Sequence, residues 1–95
     1  MLRITTHNQA GVTSFVIDGK LVGPWVTELE KCWEGALAAE PSGAVLVNLA
    51  SVTFIDSEGQ ALLTRMRREG VRLRSNGPLI NAIVAKIEAE VGHRQ

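Results

Sequence analysis

The 95-residue chain has no tyrosine, one cysteine, three prolines and only 4% aromatic residues. Each shortage excludes something. With Cys32 alone, neither an internal disulfide framework nor a cysteine-based zinc site is available. So few aromatics offer no stacking platform for single-stranded nucleic acid. Basic and acidic side chains number 10 each, so no bulk charge draws the chain to nucleic acid or an anionic membrane. No apolar run approaches the ~20 residues needed to span a bilayer, and the opening MLRITTHNQAG is too polar for a signal peptide. The expected place is the reducing cytoplasm, without membrane insertion.

Catalytic chemistry is equally short of material. His7 is expected in a turn and His93 in the tail, with no cysteine or carboxylate at ligand spacing near either. No glycine-rich loop ends in Lys-Ser/Thr ahead of a helix. Cys32 falls on an apolar stripe, the setting of a small buried hydrophobe. The expectation is a protein that is not an enzyme, with no cofactor and no metal.

What is present is one domain over residues 1–95, 45% hydrophobic. Leu2 to Thr6 and Val12 to Ile17 read as strands around a hairpin break, and Asp18-Gly19-Lys20 reads as an interruption. Gly23-Pro24 opens a helix whose stripe takes in Trp25, Val26, Leu29, Cys32, Trp33 and Leu37, ending near Pro41-Ser42-Gly43. Both tryptophans are expected in the core, an exposed Trp25 being the mark of a contact anchor.

Ala44 to Leu49, AVLVNL, reads as a central strand buried on both faces. A second helix carries Gly59, Leu62, Leu63 and Met66 on one stripe and stops at Gly70. Val71 to Arg74 alternates as an outer strand with arginines facing water, and Leu79 to Val91 is a last amphipathic helix. The order β-β-α-β-α-β-α predicts an α/β fold. Its four-stranded mixed sheet has the first strand antiparallel, the later ones parallel, and helices on one face.

Charge is uneven along the chain. Residues 1–58 carry three basic and seven acidic side chains, residues 59–95 seven and three. Arg65, Arg67, Arg68, Arg72 and Arg74 make up half of all basic residues. Such a run reads first as a solvated helix face with an edge-strand guard, and second as a contact for an acidic protein partner.

The stretch VTFIDSEGQALL interrupts an apolar run with Asp56-Ser57-Glu58-Gly59. Ser57 with Gln60 three residues on fits a capping box, the serine oxygen accepting an amide of the first turn. A serine at the mouth of a helix after a central strand is also exposed at the sheet edge. Phosphate there gains from the helix dipole and free amides while adding about −1.5 to −2 charge.

In this element order, AVLVNLASVTFIDSEGQALL resembles the strand and Asp-Ser-Ser/Thr-Gly signature of STAS domains in bacterial anti-sigma factor antagonists. Val16-Ile17-Asp18-Gly19-Lys20-Leu21 is similar to the family's earlier apolar strand and following Gly and Leu. The resemblance implies a non-enzymatic regulator of transcription. Ser57 would be the phosphoacceptor of an anti-sigma factor that is itself a GHKL-type serine kinase. Asp56 would be its neighbour and Gly59 a close-approach position. Only the unphosphorylated form would bind the kinase, through the turn Asp56, Ser57, Glu58 and Gly59; the basic run, read as a partner contact, adds Arg65 and Arg68. Glu58 stands where the family has a second Ser or Thr, Gln60 replaces an apolar residue, and Lys20 and Val22 stand where acidic residues are common. A second class of small STAS proteins implies another role, a cytoplasmic accessory subunit bound to the permease and ATPase of a lipid-transporting ABC system. A third possibility is a constitutive scaffold without phosphorylation.

Overall fold

The computed structural model describes residues 2–92. Its elements are β1 (Leu2–Gln9), β2 (Val12–Leu21), α1 (Pro24–Ala39), β3 (Ala44–Ile55), α2 (Ser57–Arg68), β4 (Arg72–Arg74) and α3 (Pro78–Gly92). The sheet order is β1-β2-β3-β4, with β1 antiparallel to β2 and the other neighbours parallel. This is the expected mixed sheet, with its three helices on one face.

The hairpin closes at Ala10-Gly11, both with positive φ (54° and 79°), as a tight two-residue turn requires. Both strands run longer than their apolar patterns. His7 lies inside β1 rather than in a turn, paired with Ser14. Asp18-Gly19-Lys20 does not break β2: Asp18 and Gly19 pair with Arg3 and Leu2 on one side and with Ser51 and Val52 on the other. Two ladders outweigh the weak strand preference of Asp and Gly.

β3 likewise continues from AVLVNL to Ile55 through two irregularities, between the pairs Val16–Asn48 and Asp18–Ser51 and between Gly19–Val52 and Lys20–Phe54. At the first, the Ala50 amide donates to Asn48 Oδ1 (2.9 Å), a side-chain bond that supports the extra residue.

Alternation sends Phe15, Ile17, Val47 and Leu49 into a core shared with Leu29 and Trp33 of α1, Leu63 and Met66 of α2, and Ile80 and Ile87 of α3. Ile83, Val84 and Val91 pack around it. The two tryptophans part company. Trp33 is 4% exposed and Trp25, on the shoulder of the stripe in the first turn, is 37% exposed. α2 ends as expected, with Gly70 at φ 98° and the Val71 amide donating to the Met66 carbonyl (3.0 Å). His93 lies outside the described residues, and among those described no helix is long and apolar enough to cross a membrane.

Candidate functional site

β3 leaves the sheet at Ile55, and Asp56 turns the chain into α2 in an extended conformation (φ −83°, ψ 179°). Its carboxylate serves two amides. Gly59 N–H donates to Oδ1 (2.7 Å) and Gly23 N–H to Oδ2 (3.0 Å). Asp56 N–H in turn donates to the Leu21 carbonyl (3.2 Å). One residue thus ties the end of β2, the entry to α1 and the first turn of α2. Gly23, at φ 50° and ψ −124°, takes a conformation suited to glycine.

The helix cap is therefore Asp56, and the expected capping role of Ser57 is corrected. A carboxylate offers two acceptor oxygens and can serve both amides, whereas a hydroxyl has one oxygen for them. Ser57 moves to the first helical position, exposed, with Glu58 exposed beside it. The amides of Ser57 and Glu58 have no intrahelical acceptor in this first turn, so the positive end of the helix lies at the serine.

Gly59 is buried and leaves no room for more. A Cβ there would stand 2.9 Å from the Leu21 carbonyl oxygen, 2.9 Å from Ile55 Cγ2 and 3.2 Å from Asp56 Oδ1. The helix approaches the β2 end this closely because the residue lacks a side chain.

Around the turn lie features that the sequence reading missed. Phe54, two residues before Asp56, is 47% exposed. The signal was present in Phe54-Ile55: adjacent strand residues point to opposite faces, so only one could join the core. Ser57 also borders an open hollow of about 320 Å³ between α2 and α3, lined by Gln60, Ala61, Thr64, Lys86 and Glu90.

The arginines divide by role. Arg65 pairs with Glu30 of α1, its guanidinium 5.5 Å from the Trp33 ring centroid. Arg67 Nε donates to Glu88 Oε1 of α3 at 2.8 Å. Arg68 is exposed and has no partner among the described residues, and Arg72 and Arg74 are exposed on β4. Helical spacing aligns Glu58, Ala61, Arg65 and Arg68, all exposed, on one stripe of α2. Ser57 and Arg68 stand about 16 Å apart along the helix. Asp56, Ser57, Glu58 and Gly59 are one local unit, with Arg65 and Arg68 further along the same helix.

Among the described residues no group of His, Cys, Asp or Glu could hold a metal ion. Cys32 is half-buried, and burial pushes its thiol pKa up, with the Glu28 carboxylate adding to the effect.

No family model and no curated protein matches the chain in sequence. Solved structures match in fold. An anti-sigma factor antagonist from Mycobacterium paratuberculosis superposes with a TM-score of 0.72 at 18% identity, covering 95% of this chain and 80% of that one. The STAS domain of an antisigma-factor antagonist from Rhodobacter sphaeroides gives 0.52 at 17%, covering 80% and 86%. The structure of Mglu gives 0.60 at 19%, covering 79% of this chain, which spans only 19% of that structure's length. At these identities the likeness establishes the fold, a STAS-like four-stranded mixed sheet with three helices.

Proposed function

We propose that this chain is a cytoplasmic, non-enzymatic regulatory module of the anti-sigma factor antagonist kind, with Ser57 as its switch. In this reading a GHKL-type serine kinase, itself the anti-sigma factor, docks on the exposed stripe of α2 and the turn before it. The kinase transfers the γ-phosphoryl group of ATP to Ser57 Oγ, whose proton leaves as ADP is released. The added charge at Glu58 and Asp56 then weakens docking by like-charge repulsion and desolvation.

One observation carries the reading. Asp56 does the capping, and Ser57 is exposed at the helix N-terminus with no hydrogen-bond partner for its hydroxyl among the described residues. A serine whose hydroxyl held the cap would have to exchange that bond for contacts of the phosphate, whereas here the Asp56 bonds to Gly59 and Gly23 stay as they are. The free first-turn amides would hold part of the phosphate charge, offsetting the fixed negative charge of Glu58.

The test is an affinity capture from native cytoplasm and membranes with wild-type protein and Ser57→Asp as baits, scoring phosphate on Ser57 by mass spectrometry. A kinase retained by wild type and lost with Ser57→Asp, together with phosphate on Ser57, is the expected result. Partners indifferent to the substitution with Ser57 unmodified would overturn it in favour of a constitutive scaffold. Recovery of a permease and an ATPase from the membrane fraction would favour the ABC accessory role.

A further inference from the structure

The two edges of the sheet are built differently. β4 is three residues long and carries exposed Arg72 and Arg74, the usual protection of an open edge. β1 runs for eight residues, LRITTHNQ, in unbroken register with β2, and pairs with no other strand among the described residues. It has no proline, no lysine, no bulge and one fixed charge, Arg3. An edge this long, with strand-forming residues and no guard, presents a row of unpaired amides and carbonyls ready to template another strand.

Beside that edge runs a trough. α1 covers β2 and leaves the helix-facing side of β1 partly open, with Thr6 and Asn8 on the floor. Cys32, Ala36 and Ala39 form the α1 wall of this space of about 420 Å³. Trp25 falls on the same α1 shoulder by helical spacing. Short side chains on that wall keep the helix from roofing the edge strand.

We propose that a second copy of this chain occupies the edge, β1 pairing with β1 about a two-fold axis into a continuous eight-stranded sheet. The symmetry suits the sequence. A two-fold pairing that keeps both helix layers on one face of the sheet must be centred on a residue, because a one-residue slip reverses the faces. Centred on Thr5, it sets Arg3 against His7, which repel when the imidazole is charged. Centred on Thr6, it sets Arg3 against Gln9, Ile4 against Asn8, Thr5 against His7 and Thr6 against its own copy, with no charged pair. Thr6 is exposed in the single chain, so the described residues leave the axis position open. The chain's balance of 10 basic and 10 acidic side chains places no net repulsion between two copies. Edge pairing alone is a small interface, below the ~1,200 Å² of standard complexes, which sets the expected Kd at about 10–100 µM.

Sedimentation velocity on the full chain from about 5 µM to 1 mM brackets that range. Wild type is expected to pass from monomer to dimer. Thr6→Lys and Thr6→Glu, each folded by circular dichroism, should remain monomeric through like charges facing across the axis. An equimolar mixture of the two should dimerise again, because Lys then faces Glu. Wild type monomeric at the highest concentration overturns the proposal. So does a dimer that persists in Thr6→Lys, or two variants that fail to complement, since either result places the contact elsewhere. Peptide or partner strands added at β1, without self-association, would likewise replace the second copy as occupant.

Discussion

The two ends of α2 make opposite use of charge. At its N-terminus one half-buried carboxylate, Asp56, holds three segments together through backbone amides, and the residues beside it are free to face solvent. At its C-terminus Arg65 and Arg67 reach sideways to acids of α1 and α3, tying helix to helix. The first end fixes the backbone and spares its side chains. The second consumes its side chains in packing. A cluster of like charges is therefore a poorer guide to function than a polar residue that the fold does not use.

Substitutions along α2 can break this contrast. The largest effect is expected at Gly59. An added Cβ meets the Leu21 carbonyl, a backbone atom that cannot rotate away, and the branched end of Ile55. Overpacking of this kind costs about 3 kcal/mol, and helix propensity returns at most ~1 of it. Gly59→Ala should lower the thermal midpoint by about 10 °C and loosen the contact of α2 with the β2 end. An unchanged midpoint would mean that the helix start slides outward at little cost.

Asp56→Ala should come next, at about 2 kcal/mol, from the lost cap and the Gly23 amide left without its partner. Asp56→Asn tests the two-amide account more finely. An amide side chain keeps one acceptor and turns a donor toward the other N–H, so it should recover less than half of the loss. Full recovery by Asn would reduce Asp56 to an ordinary cap.

How legible this was in the sequence depended on distance along the chain. Strand and helix identity, the mixed sheet and the stop at Gly70 follow from local periodicity and turn residues. The resemblance carried Gly59 as a close-approach position, and the Leu21 carbonyl supplies the physical reason. The bond from Gly23 to Asp56 joins residues 33 apart, and nothing local in either segment announces it. The cap itself is local: Asp56 is a preferred N-cap residue, and its bond to the Gly59 amide starts α2 one residue earlier than the Ser57–Gln60 spacing suggests. The strand character of Asp18-Gly19-Lys20 was hidden by distance, as the Gly23 bond was, since only pairing on both sides holds it. Arg65 and Arg67 were legible as surface charge, but their partners lie on other helices.

At the other end of α2 the expected effects are smaller. Arg65→Ala removes an ion pair with Glu30 whose two side chains are 53% and 33% exposed, and a guanidinium resting near the Trp33 ring. Partly solvated pairs contribute about 0.5–1 kcal/mol, and raising salt should shrink the difference between variant and wild type. Arg68→Glu, with no partner among the described residues, should leave stability within about 0.5 kcal/mol. A fall in kinase capture by Arg68→Glu alone would make the free arginine a contact, while equal capture would confine docking to the turn.

The smallest structural effect is expected at the residue of greatest functional interest. Ser57 is exposed and its side chain has no hydrogen-bond partner among the described residues, so Ser57→Ala should change unfolding free energy by less than about 0.5 kcal/mol. Alanine also suits a helix slightly better than serine, which pushes the change toward zero. A loss of 1 kcal/mol or more would return the serine to the cap and remove the ground for treating it as a switch. Stability alone does not separate a switch from a passive surface, so the same variant must be read against phosphate. Wild type incubated with the captured kinase and ATP should gain one phosphoryl group and lose affinity for that kinase. Ser57→Ala should gain none and stay bound. The contrast with Asp56→Ala then becomes decisive, since that variant keeps the hydroxyl but loosens the turn presenting it. If it is phosphorylated at the wild-type rate, the hydroxyl suffices; a slower rate means that the kinase reads the strapped turn itself.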